Sequence, residues 1–120
     1  MRLLLQRSKR CYKMDIDIKT IKEQIMKSLD EMGVSVESII LFGSRARGDY
    51  NEDSDYDILI VTEKTYPFKE KIKISEAVRD RVVKLHIPSD IIVRSHDEVD
   101  YFRDKISSVI REAVEEGILL

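Results

Sequence analysis

An α/β fold, a small mixed β-sheet with helices packed on it, is what this chain of 120 residues predicts. Three observations point there. Two β-rich apolar runs, Val36–Phe42 and Tyr56–Thr62, are long enough for strands. Apolar residues on either side of them recur at spacings of three and four, the period of a helix face. The resulting order of helix, strand, strand, helix, strand, helix favours one sheet covered by helices.

The first helix carries Ile18, Ile21, Ile25, Leu29 and Met32 on one face, and Gly33 fits its C-terminal stop. The first strand then leads into Gly43-Ser44, and residues 44–53 form a turn or short helix before the second strand. Pro67 interrupts the pattern. Beyond it, Ile74, Ala77, Val78, Val82 and Leu85 mark another helix. Pro88 precedes a short strand over residues 90–93. Ser95 and Glu98 have the spacing of a capping box, predicting one last helix with Phe102, Ile106, Val109, Ile110 and Ala113, stopped by Gly117. Three strands make a minimal sheet, so residues 63–68 or the apolar Ile118, Leu119 and Leu120 are candidates for further pairing. That C-terminal tripeptide also offers apolar surface for an interface between copies of the chain, as an alternative to a packed tail.

One domain fits this length, with a real core but no room for a large substrate-reading domain beside it. The net charge of −2 hides an asymmetry. Arg2, Arg7, Lys9, Arg10 and Lys13 make residues 1–14 a basic leader, expected to be disordered, with Met14 the natural start of a domain over residues 15–120. Without those five, sixteen basic and twenty-three acidic groups leave the body near −7. An acidic body argues against nucleic acid as a partner, because Lys and Arg contacts to phosphate supply most of that affinity. Nothing reads as a membrane span, and Leu3-Leu4-Leu5 is too short for a signal-peptide core. The lone Cys11 forms no intramolecular disulfide, and a cytoplasmic location is the expectation.

Residues 43–57 carry the chemistry. On a strand, Asp55 and Asp57 point to the same face, so their oxygens can share a hard cation such as Mg²⁺. Gly43 allows close backbone approach to a ligand, and the Ser44 hydroxyl can donate to a phosphate oxygen. Two simpler readings fail. A calcium loop beginning at Asp49 needs Gly and Glu where Ser54 and Ile60 stand, and a P-loop beginning at Gly43 needs Lys where Asp49 follows Gly48.

The compound pattern of apolar strand, Gly-Ser, ten residues, Asp-x-Asp, apolar strand resembles the minimal nucleotidyltransferase group of the DNA polymerase β-like superfamily. Gly43-Ser44-Arg45-Ala46-Arg47-Gly48 and Ser54-Asp55-Tyr56-Asp57-Ile58-Leu59-Ile60-Val61 carry the likeness, which covers about residues 15–120. It implies a polymerase β palm-like nucleotidyltransferase fold. It also implies transfer of a nucleoside monophosphate, AMP from ATP as donor, to an acceptor hydroxyl with release of pyrophosphate. Two Mg²⁺ ions would be held by Asp55, Asp57 and a third carboxylate on a later strand, for which Asp90 is the candidate, with a further option of taking the proton. Gly43, Ser44, Arg45 and Arg47 are the candidate nucleotide-binding residues, the two arginines to offset charge on the leaving pyrophosphate or, as simply, to face solvent.

Short chains of this group resemble the antitoxin half of toxin–antitoxin pairs, which implies a helical HEPN-type toxin as partner and acceptor. Two alternatives stand beside it: an antitoxin that neutralises by binding alone, and a stand-alone small-molecule or RNA nucleotidyltransferase. His86 and His96 are expected to pack or face solvent rather than catalyse. Tyr50, Tyr56 and Tyr66 are candidates for stacking on a base or plain strand residues.

Overall fold

In a computed structural model, the described residues are 8–105 and 108–120. Helix α1 spans Ser8–Glu31, followed by β1 (Val36–Phe42), the single turn α2 (Ser44–Arg47) and β2 (Tyr56–Thr62). Helix α3 (Phe68–Val83), β3 (Ser89–Ser95), α4 (His96–Phe102), α5 (Val109–Glu116) and β4 (Ile118–Leu119) complete the order. The sheet runs β3-β2-β1-β4. It is mixed, as expected: β1 is antiparallel to β2 and to β4, while β2 and β3 are parallel and joined through α3.

Every residue of β2 is buried except Asp57, which is half-buried. Such a run belongs at the centre of a sheet covered on both faces. On one face Ile58 and Ile60 meet Ile39, Leu41, Ile91 and Val93, covered by Ile21, Ile25 and Leu29 of α1 and Ile74, Val78 and Val82 of α3. The spacing of both helical triads put them there. On the other face Leu59 and Val61 pack with Phe42 against Ile110 and Ala113 of the shorter α5. At about 1.5–3 kcal/mol per buried aliphatic side chain, the first face dominates the core.

Four expectations need correction. The single last helix is two, because the chain turns after Phe102 and Ser108 caps a new helix, its side chain accepting from the Arg111 amide at 2.9 Å. Phe102 and Val109, counted as one apolar face, are 37% and 47% exposed, and Ile106 lies outside the described residues. The helix carrying Ile74 ends at Val83 rather than reaching Leu85, and the strand at residues 90–93 extends to Ser89–Ser95. Residues 8–14 of the expected leader form the first turns of α1, while residues 1–7 lie outside the described residues. The C-terminal residues do extend the sheet: Leu41 pairs with Ile118, and the Leu120 amide donates to the Ile39 carbonyl at 2.8 Å.

The capping box is present as its residues predict, with Ser95 and Glu98 satisfying each other's backbone amides. Glu98 also takes Lys71 Nζ at 2.6 Å, tying α4 to α3. Burial works against the charged Glu98 carboxyl, but Lys71 and the Ser95 amide outweigh it and hold the carboxyl below its ordinary range. A lowered folded pKa gives stability that is present above the ordinary carboxylate value and is lost as pH falls through the lowered one. Glu98→Ala should therefore cost about 1–2 kcal/mol in urea unfolding at pH 7, and the gap to the unaltered protein should close on acidification.

Candidate active site

One end of the sheet gathers the residues of interest. The C-terminal end of β1 and the N-terminal ends of β2 and β3 meet there, and Phe42, Asp57 and Asp90 are direct register neighbours across the three strands. Asp57 lies on the face of Leu59 and Val61, the thinly covered one. Asp90 shares that face with Ile92 and is exposed; Asp55 precedes β2 and is exposed as well. The amide of Tyr56 donates to the Pro88 carbonyl at 3.0 Å, which locks the mouths of β2 and β3 together.

Asp57 is the strained member. Burial raises its carboxyl above the ordinary range, and repulsion from Asp90, Asp55 and Glu112 adds to this, with Arg47 pulling the other way. Asp57 thus feels three other carboxylates against one arginine, and carboxylate oxygens are the hard donors that suit Mg²⁺. Among the described residues, however, no three acidic or histidine side chains close into a ready-made metal cage. The structure thus brings Asp57 and Asp90 side by side and places Asp55 at the rim.

Gly43 explains why the bend is built from a residue without a side chain. Its φ is +74°, and an added Cβ would collide with Oδ2 of Asp57. The Gly43 carbonyl accepts from the amides of Ala46 and Arg47 at 3.1 and 3.0 Å, forming α2. Ser44 opens that turn and Gly48, at φ +90°, closes it.

The two arginines of the turn differ in setting. The Arg45 guanidinium lies between the rings of Tyr50 and Tyr56, 4.3 and 4.4 Å from their centroids, and its Nε donates to the Ser54 carbonyl at 3.1 Å. It binds the 48–55 loop to the fold, so the tyrosines stack on a cation of the same chain and Tyr56 is buried. Arg47 instead reaches Asp49 (3.4 Å), Glu112 (3.3 Å) and Glu116 (3.5 Å). Glu112 escaped the sequence reading, because only the packing of α5 on the sheet brings it near Arg47, 65 positions earlier. His86 is exposed at φ 60°, and His96 pairs with Glu37 at 2.9 Å and Asp100 at 3.2 Å on α4. Neither has a catalytic setting. Tyr66 lies beside Lys64, 5.3 Å from its ring centroid, and packs against the core.

The glycine-serine bend and the carboxylates of two adjacent strands thus stand together at one end of the sheet. The chain belongs to the nucleotidyltransferase domain family, whose model matches residues 22–120, and it is a nucleotidyltransferase. It is 36% identical over 104 residues, 85% of its own length and 95% of the relative's, to "Putative protein adenylyltransferase MJ0604" of Methanocaldococcus jannaschii. A Sulfolobus solfataricus nucleotidyltransferase crystal structure matches at TM-score 0.55 and 26% identity, over 88% of this chain and 83% of that one. A toxin–antitoxin structure with AMP-PNP matches at TM-score 0.55 and 20% identity, over 81% and 69%, which shows the shared fold. The minimal nucleotidyltransferase resemblance holds.

Two outcomes check the site's physics. Gly43→Ala should destabilise the fold by about 1–3 kcal/mol, from a positive φ and the displaced Asp57 carboxylate, and should abolish transferase activity; thermal unfolding and turnover read the two. Asp57→Asn should raise the melting temperature in chelator at pH 7. A raised folded pKa means that the favourable contribution exists below the ordinary carboxylate value and is lost as pH rises through the raised one, so the advantage of Asn should vanish on acidification.

Proposed function

We propose that this protein is a Mg²⁺-dependent adenylyltransferase whose acceptor is a hydroxyl on a partner protein, in the setting of a toxin–antitoxin pair. The carrying observation is the register alignment of Asp57 with Asp90 beside Gly43. The relative named a protein adenylyltransferase supports the reaction class, and the neighbour solved as a toxin–antitoxin complex with AMP-PNP supports ATP as donor and a toxin as acceptor; a HEPN-type toxin is the partner that the family resemblance implies.

Asp55, Asp57 and Asp90 would hold Mg²⁺, two ions in the full reading. A metal held there would supply charge neutralisation for the triphosphate and a lowered pKa for the attacking hydroxyl. The Ser44 hydroxyl and the amides opening α2 hold terminal phosphates, and Gly43 keeps that approach free of side chain. Arg47 leaves its surface carboxylates for the phosphates, an exchange of one set of screened ion pairs for a more highly charged partner. Arg45 keeps the loop in place from between its tyrosines. The acceptor oxygen bonds to the α-phosphorus as the bond to the β-phosphate oxygen breaks. Pyrophosphate departs with that electron pair, and the hydroxyl proton passes to Asp90, the exposed carboxylate at the mouth. In this reading a partner protein supplies the acceptor hydroxyl. A cytoplasmic setting goes with this reading, and among the described residues no helix is long and apolar enough to cross a membrane.

A second reading, neutralisation by binding alone, draws on the absence of a closed three-ligand group among the described residues. One experiment separates the two. With α-labelled ATP, Mg²⁺ and the protein encoded beside it, the chain should label that partner, and Asp55→Asn/Asp57→Asn should lower labelling by at least about a hundredfold while the complex still forms. Neutralisation of the partner that persists undiminished in the double variant would establish binding alone.

A further inference from the structure

Among the described residues, β3 is an edge strand of the sheet. Two contacts show which peptide groups face its outer side: the Val93 carbonyl accepts Nη1 of Arg94 at 2.7 Å, and the Ser95 amide donates to Oε1 of Glu98 at 2.8 Å. Within a strand the N–H and C=O of one residue point to the same side, and sides alternate along the chain. Ile91 and Val93 therefore direct their backbone donors and acceptors to that outer side, where they are covered, the two residues being 4% and 2% exposed with Arg94 lying over the Val93 carbonyl. A groove of about 430 Å³ follows this edge, walled by Phe68, Lys71 and Ile72 of α3 and by Glu98 and Phe102 of α4. Phe68 is 74% exposed, an unusual position for a large aromatic.

Edges of this kind invite another strand, and charged residues commonly guard them. The guards here have a particular arrangement. In Ser89-Asp90-Ile91-Ile92-Val93-Arg94-Ser95, acid and base stand two residues either side of Ile92, and the serines and aliphatics mirror each other too. We propose that the edge takes the same strand of a second copy, antiparallel, about a two-fold axis through Ile92. In that register Asp90 faces Arg94 of the second copy, twice by symmetry, Ile91 faces Val93, and Ser89 faces Ser95. Opposite charges directly across an antiparallel pair attract; two acids or two bases would repel. Ile91 and Val93 fall at the hydrogen-bonded pairs, which matches the direction of their peptide groups. A two-fold contact of one patch with itself closes after two copies.

The contact reaches the candidate active site. Asp90, 4.0 Å from Arg79 within the chain, would gain a guanidinium from the second copy on the face it shares with Asp57. To pair, Arg94 gives up its bond to the Val93 carbonyl, so the same side chain covers the edge in one state and bridges copies in the other.

Sedimentation equilibrium of the full chain up to a few hundred micromolar should show a species of twice 14.0 kDa. Arg94→Asp should weaken dimerisation about tenfold or more, and Asp90→Arg/Arg94→Asp, which restores opposite signs, should recover it; circular dichroism confirms that each variant folds. As an independent check, Ile92→Cys in a Cys11→Ser background should form an inter-chain disulfide on oxidation, since a central non-hydrogen-bonded pair sits about 4.5 Å apart at Cα. A single-chain mass throughout would overturn the proposal. So would a dimer indifferent to both charge variants, no cross-link at Ile92, or occupation of the edge only by a different protein's strand.

Discussion

A half-buried carboxylate on the central strand sets the terms for everything around it. Asp57 interrupts a strand whose other six residues are buried, and it faces Asp90 across the ladder. Desolvation and like-charge repulsion both disfavour its ionised form. A bound cation relieves both at once. The fold spends core stability on this placement, and the covering of the sheet reflects it: α1 and α3 seal one face with long apolar stripes, while short α4 and α5 cover the other only in part. Asp57 and Asp90 lie where cover runs out.

The bend at Gly43 and the loop that follows are arranged around the same carboxylate. Gly43 yields space to Asp57, α2 turns the chain away, and Arg45 between two tyrosine rings fixes the returning loop that delivers Asp55. Cation–π contacts of this kind add about 0.5–2 kcal/mol each. Arg47 has only exposed, screened ion pairs to leave. Rigid support and releasable charge are thus divided between two arginines two residues apart.

Much of this was legible in the sequence, for identifiable reasons. Strands β1 and β2 follow from continuous β-branched and aliphatic runs, α1 and α3 from clean spacing of three and four, and the α4 cap from Ser95 and Glu98. The break between α4 and α5 was not, because Phe102, Val109 and Ile110 keep a helical period by coincidence while Ser108 acts as a cap that looks like any polar helix residue. Gly43, Ser44, Asp55 and Asp57 could be singled out by spacing, and Asp90 by its place at the start of an apolar run. The division of labour between Arg45 and Arg47 depends on Tyr50, Glu112 and Glu116, which only tertiary packing brings into reach. Glu112 has no local pattern to betray it.

Cation binding itself is the most direct test. Titration of Mn²⁺, a paramagnetic substitute for Mg²⁺, against the protein with a non-hydrolysable ATP analogue can be followed by electron paramagnetic resonance. The account predicts binding that weakens at least about tenfold when Asp55, Asp57 or Asp90 is separately changed to Asn. Affinity unchanged by all three substitutions would contradict it.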